Sequence, residues 1–392
     1  MNERKRKLGE ERSAIRELFE YGKRRAKEIG RENVFDFSIG NPSSPAPDGV
    51  KEEIIRLLNE VSSAELHGYT SAQGDPAVRK AVADYLHSEF GAEISANRIY
   101  MSCGASASLT VALNAILSGG EEVAVLAPYF PEYRVFIEGA RGFVKEVATD
   151  KNFRLDLDAL DQAITKNTAA VILNSPNNPT GVVYREEEIK SFAALLNRKS
   201  REFKKPVYLI SDEPYRELTY GAKVPFPANY YDNTIVCYSF SKCLTLAGER
   251  IGYLAVNDRA EEADALYTAC VGAGRDLGFV CAPALFQQVI RKCVGMTSDV
   301  GVYEKNRALL YGALTDMGYA AVEPEGAFYL FVKSLEPDAK AFCERAKKYE
   351  LLLVPSDSFG IQGYVRISYC VPTEQIKNSL PKFEALFKEY LR

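Results

Sequence analysis

With 392 residues, 46% of them hydrophobic and 26% charged, the chain has the balance of a folded protein with a sizeable core, and its length favours two domains. A formal net charge of −4 gives no sign of a nucleic-acid partner, and no apolar run is long enough to span a bilayer. The opening MNERKRKLGEERSAIRELFE carries charge where a secretion signal needs apolar residues, so the expected location is the cytoplasm. Two histidines, His67 and His87, and eight cysteines without a CxxC pair argue against a histidine triad, a metal site or a disulfide framework.

Near the N-terminus, Ile15, Leu18, Phe19, Ala26 and Ile29 recur at helical spacing and predict an amphipathic helix with a solvated basic face. Such a helix is too short to fold alone and is expected to pack on the C-terminal unit. An extended VFDFSIG and the loop NPSSPAPDG follow. From about residue 98 to 256, the apolar runs RIYMSC, EEVAVLAP, AAVILNS, VYLISDE, TIVCYSF and IGYLAV alternate with helix-length stretches: ASLTVALNAIL, one starting near Pro131, and EEIKSFAALLN. Strands that are apolar on both faces and joined by helices predict an α/β domain around a mostly parallel sheet. Beyond residue 285, Leu309, Leu310, Ala313, Leu314 and Met317 mark one helix, and Phe383, Leu386, Phe387 and Tyr390 another. Between them AFYLFV, LLLVPS and YVRISY read as strands of a smaller α+β unit. The expected division is an N-terminal segment, 1–45, packing with the small domain, a large domain, 46–284, and a small domain, 285–392.

Lys242 in SFSK follows the run TIVCY and so falls at the carboxyl edge of the sheet, where open α/β domains bind ligands. A lysine there is ordinarily a solvated surface residue; its neighbours give it meaning. Asp212 and Tyr215 follow another strand in SDEPY, Asn178 stands in NSPNNPTG after AAVIL, and Arg250 lies eight residues beyond the lysine. This set answers the needs of a cofactor with an aldehyde, a ring nitrogen and a phosphate. Lys242 supplies an amine for an imine when desolvation or nearby cations keep it unprotonated. Asp212 beside the ring nitrogen favours its protonated form, which turns the ring into an electron sink, while Tyr215 and Asn178 can hydrogen-bond a phenolic oxygen. For the phosphate, Gly104, Ala105 and Ser106 in CGASAS open a predicted helix whose N-terminal N–H groups favour an anion, and Ser239 and Arg250 add a hydroxyl and a guanidinium.

The motifs IGNP, GYTSAQGDPAVRKAVADYL, CGASAS, APYFPEY, NSPNNPTG, SDEPY, SFSK, AGERIGY, GAFY and VRIS follow one another along nearly the whole chain. With them the sequence resembles the class I and II aminotransferase family of fold type I, enzymes dependent on pyridoxal 5′-phosphate (PLP). The resemblance implies a large domain with a mostly parallel seven-stranded sheet sandwiched by helices, a smaller α+β domain built from both termini, and a homodimer with shared active sites. It also implies PLP held as a Schiff base on Lys242, Phe130 stacked on its ring, and Tyr69 donated to the phosphate of the neighbouring subunit. Arg366, whose planar fork suits a carboxylate, would bind the substrate α-carboxylate with Asn178 and the Gly40 backbone; a structural ion pair is the competing reading.

The activity so implied is ping-pong transfer of an amino group from an L-amino acid to a 2-keto acid, with Lys242 as proton shuttle. In one aspartate-using branch of the family a lysine recognises the distal carboxylate where this chain has Ser106, so that contact is missing. The same lysine, aspartate and arginine serve a C–S β-lyase of the cystathionine β-lyase kind, which stays open as an alternative. A PLP-dependent transcription regulator would need a DNA-reading module, and only a short basic helix precedes the matched region.

Overall fold

The strands foreseen between residues 98 and 256 form one sheet in the computed structural model, which describes residues 1–10 and 14–391. Its members are β1 (Ile99–Ser102), β2 (Glu122–Ala127), β3 (Phe143–Ala148), β4 (Thr168–Asn174), β5 (Tyr208–Asp212), β6 (Thr234–Ser239) and β7 (Gly252–Val256). They lie in the order β1-β7-β6-β5-β4-β2-β3. Strand β7 runs antiparallel to both neighbours and every other pairing is parallel.

Alternation within each run explains why the strands read as continuous apolar stretches. In β2, Val123 and Val125 pack on one face with Ile172 and Ile235, whereas Ala124 and Leu126 pack on the other with Val171 and Leu209. Apart from the N-terminal helix α1 (Ala14–Ile29), which packs elsewhere, the helices that cover this sheet are α2 (Ala105–Ile116), α3 (Glu132–Gly139), α4 (Glu186–Phe203) and α5 (Ala263–Asp276). Helices α2 and α5 cover one face through Leu109, Leu113, Leu266 and Cys270. Helix α4 covers the other through Ile189, Phe192 and Leu196.

One sheet member was not among the apolar runs. Strand β3 is an edge strand with exposed or half-buried positions nearly throughout, its Phe143 is 64% exposed, and it carries Lys145 and Glu146. An edge needs no second apolar face, and charge there discourages pairing with other chains.

The last hundred residues supply a three-stranded antiparallel sheet of β8 (Tyr329–Lys333), β9 (Val354–Pro355) and β10 (Tyr364–Ser368), in the order β9-β10-β8. The run LLLVPS is split: Leu351–Leu352 pairs in parallel with Phe35–Asp36, the only strand formed by VFDFSIG, and Val354–Pro355 joins the other sheet. Helix α1 buries Leu18 against Val34, Leu352, Val354 and Phe359, and its Arg25 meets Glu350 at 2.6 Å. Residues 11–13, within the N-terminal segment of the sequence reading, and residue 392 lie outside the described residues. Among the described residues, no helix is long and apolar enough to cross a membrane.

The topology gathers chemistry at one edge of the large sheet. Gly104 follows β1, Phe130 follows β2, Asn178 follows β4, Asp212 ends β5, and Ser239 ends β6 with Lys242 in the next turn. Because β7 runs the other way, it begins at this same edge, with Arg250 two residues before it.

Candidate active site

These strand ends open on a cavity of about 260 Å³ lined by Lys242, Asp212, Tyr215, Asn178, Arg250 and Arg366, together with Gly40, Ala105, Ser106, Phe130 and Ser239. Gly104 stands immediately behind, against Arg250. Tyr69 is not brought to this cavity; it is wholly exposed on the surface of the chain.

Lys242 Nζ donates to the Gly40 carbonyl at 2.6 Å and lies 5.5 Å from the centre of the Phe328 ring. Burial lowers its pKa to about 8; Cys370 opposes this, and the charges of Arg366 and Arg250 reinforce it. Asp212 is perturbed in the complementary sense. Burial raises its carboxyl to about 7, against the hydrogen bond from Tyr133 that favours the ionised form. Tyr133 donates to Asp212 Oδ2 at 2.5 Å, and the other oxygen, Oδ1, is buried with no hydrogen-bond partner. The Tyr215 hydroxyl shares a 2.9 Å hydrogen bond with that of Tyr329.

Arg366 occupies the buried middle of β10. Its Nη2 donates to the Ser38 carbonyl at 2.6 Å and its Nη1 to Asn178 Oδ1 at 3.1 Å. Its Nε has no partner, and the Tyr329 ring lies 4.6 Å from the guanidinium carbon. Among the described residues no carboxylate stands within 4.0 Å of Lys242, Arg250 or Arg366. The structural ion pair considered for Arg366 is therefore not made within these residues. The backbone contributing to its surroundings is that of Ser38, while Gly40 serves Lys242.

A second cluster lies at the start of α2. Gly104 caps the helix with φ 86°, a backbone conformation that favours glycine, and a Cβ there would stand 2.8 Å from Arg250 Nη2 and push that flexible tip aside. Arg250 Nη1 donates to Ser241 Oγ at 3.3 Å, and Ser241 Oγ and Ser239 Oγ are 2.7 Å apart. Hydroxyls, a guanidinium and free helix N–H groups thus converge where an anion would be held. Gly252 braces this corner: an added Cβ would meet the Tyr238 carbonyl oxygen and stand 2.8 Å from Gly104 Cα. Gly252→Ala is expected to destabilise the fold by about 1–3 kcal/mol, the usual cost of overpacking, and to weaken phosphate-ester binding. Thermal denaturation and a cofactor titration check both.

Tyr133, Asn174, Ser241 and Tyr329 were not singled out in the sequence. Asn174 Nδ2 donates to the Asp212 carbonyl at 2.9 Å, and its Oδ1 accepts from the Asn178 N–H at 2.7 Å, tying the two loops together. Tyr133 and Tyr329 lie inside the motifs APYFPEY and GAFY. The usable signal for Tyr133 was its position three residues after Phe130 at the start of a predicted helix, which sets the two rings near one face.

A mostly parallel sheet with a part-buried lysine and a buried carboxylate and arginine at its carboxyl edge defines an enzyme site rather than a binding scaffold. The model of the family "Aminotransferase class I and II" matches residues 32–383. A solved amino transferase from Eubacterium rectale superposes with a TM-score of 0.98 at 53% identity, over 100% of this chain and 99% of that one. The aspartate aminotransferase from Thermus thermophilus with maleate superposes with a TM-score of 0.85 at 27% identity, over 96% and 97%. A probable aspartate aminotransferase of Methanocaldococcus jannaschii is 31% identical over 96% of this chain and 97% of its own length. The chain belongs to the class I and II aminotransferase family. It is a transferase enzyme of that kind with the fold type I architecture foreseen from its motifs.

Members of this family generally depend on PLP, and the residues here fit that group. The orphaned Asp212 Oδ1 suits a ring N–H, the Gly104 corner beside Arg250 suits a phosphate, and Lys242 is an amine held at a depressed pKa.

Proposed function

We propose that this chain is a PLP-dependent aminotransferase that moves the amino group of an L-amino acid to a 2-keto acid by a ping-pong mechanism, with Lys242 as Schiff base and proton shuttle. One observation carries the reading. Lys242, Asp212 and Arg366 are ionisable groups facing one cavity, the lysine part-buried and the other two buried, and none has a partner of opposite charge among the described residues. Enclosing such groups costs free energy that a bound ligand with matching charges would offset.

When bound, PLP supplies the electron sink that stabilises negative charge left at a substrate Cα. Asp212 offers Oδ1 to the ring nitrogen, Phe130 packs against the ring, and Tyr215 donates to the phenolic oxygen. Asn178 gives its Oδ1 to Arg366, so its NH2 is the group left for the same oxygen. The Gly104, Ala105 and Ser106 N–H groups, Ser239, Ser241 and Arg250 hold the phosphate, and Tyr69 is offered to the partner subunit of a homodimer. Arg366 takes the α-carboxylate by its fork and so fixes where Cα–H points. Lys242 Nζ, released when the substrate amine arrives, accepts the Cα proton. A second keto acid then enters the same arginine site, which makes the kinetics ping-pong.

The decisive measurement is a half-reaction screen in which each L-amino acid is added to the purified, PLP-loaded protein. Conversion to the pyridoxamine form with one equivalent of keto acid is the expected result. Pyruvate and ammonia from cystathionine, with no keto-acid acceptor, would instead identify a C–S lyase. Ser106 brings no cation to the cavity wall, where the described cations are Lys242, Arg250 and Arg366. The same screen ranks aspartate and glutamate against apolar donors.

A further inference from the structure

We propose that Tyr133 is a positioning residue for Asp212, fixing the carboxylate by one oxygen so that the other is presented, ionised, to the cofactor ring. This rests on the PLP reading above. Tyr133 is 2% exposed, and its hydroxyl donates to Asp212 Oδ2. Asp212 Oδ1, on the same carboxylate, is buried with no partner, so the two oxygens are unequal: one is anchored and one is available. The anchor also ties two functions together. Tyr133 sits in the first turn of α3, and its ring meets that of Phe130 edge-on at 5.7 Å and 88°. The ring expected to pack on the cofactor and the hydroxyl that orients the aspartate therefore share one rigid contact.

A hydrogen bond to a carboxylate favours its charged form, and deep burial opposes it. The groups facing Asp212 are Tyr133 from α3, Tyr215 from the turn after β5, Cys237 from β6 and Glu213 next in the chain. None of them is a cation. Without Tyr133, none of these neighbours favours the charge on Asp212, which then depends on the ring nitrogen alone.

Tyr133→Phe keeps the ring and removes only the donor. In the PLP-free protein, Asp212 binds its proton more tightly folded than unfolded, so stability falls as pH rises from about 4 through about 7. The variant is expected to extend that fall upward by about one pH unit. Its Tm deficit against the parent would then be larger at pH 8.5 than at pH 5, and would lose this pH dependence in an Asp212→Asn background. In the loaded protein, the pH midpoint of the cofactor's visible absorbance is expected to move by a similar amount. A Tm deficit equal at both pH values, or an unmoved absorbance midpoint, would show that Tyr133 only fills space and overturn the proposal. Failure of the parent protein to bind PLP would overturn the cofactor reading instead, and the two failures are told apart by that control.

Discussion

Lys242→Ala is expected to lower amino-group transfer by about 10⁴-fold or more, because one side chain is asked to hold the cofactor and to move the proton. Single-turnover measurement with the best donor checks this, and turnover within tenfold of the parent would refute it. The same residue makes a prediction that needs no cofactor. Burial takes its pKa from 10.5 to about 8, so the unfolded chain binds more protons across that interval and folding stability rises with pH between about 8 and 10.5. At 1.36 kcal/mol per pH unit, the buried amine costs the PLP-free protein about 3 kcal/mol at neutral pH. Lys242→Met, which keeps the stem and removes the charge, should therefore be more stable than the parent at pH 7, with the gain shrinking as pH rises through about 8 and largely gone at pH 10.5. Loss of the 2.6 Å bond to the Gly40 carbonyl subtracts from that gain by about 1 kcal/mol. Denaturant melts at the two pH values separate the contributions.

That a residue so costly to folding stands at the sheet edge is the physical content of the motif SFSK. The strand TIVCYS is buried at every position, and its apolar alternation was sufficient to place Lys242 just past its end. The same holds for Asp212 after VYLIS and for Asn178 after TAAVILN. Local pattern reports these positions because a strand buried on both faces has to be apolar, and its first polar residues mark the edge. Strand β3 escaped because it is an edge strand with no such requirement.

What could not be read locally is who faces whom. Tyr133 and Asp212 are 79 positions apart, and Arg366 meets partners 188 and 328 positions away. The sequence left Arg366 divided between binding an α-carboxylate and forming an ion pair with one of 53 acidic side chains. Only the fold shows that its immediate partners are a carbonyl and an amide oxygen, which satisfy hydrogens without neutralising charge. Likewise, Tyr69, which the resemblance assigns to a neighbouring subunit, stands completely exposed on its own chain.

The buried, uncountered guanidinium leads to the second large effect. Arg366→Lys is expected to reduce kcat/KM for both the amino acid and the keto acid while leaving the absorbance of the loaded enzyme unchanged. Lysine keeps the charge and loses the planar fork, and a point charge cannot hold the Ser38 carbonyl, Asn178 Oδ1 and a carboxylate in fixed directions at once. Disrupting a desolvated charge pair costs about 2–5 kcal/mol, or roughly 30- to 4,000-fold. Because the carboxylate is held in both substrate and transition state, much of that loss should appear in KM, with kcat falling to the degree that Cα–H is misdirected. A primary amine without a carboxylate supplies the control: it cannot use the arginine and should react equally slowly with parent and variant. If the variant instead slowed this amine as much as the amino acid, Arg366 would be shaping the cavity rather than reading the carboxylate.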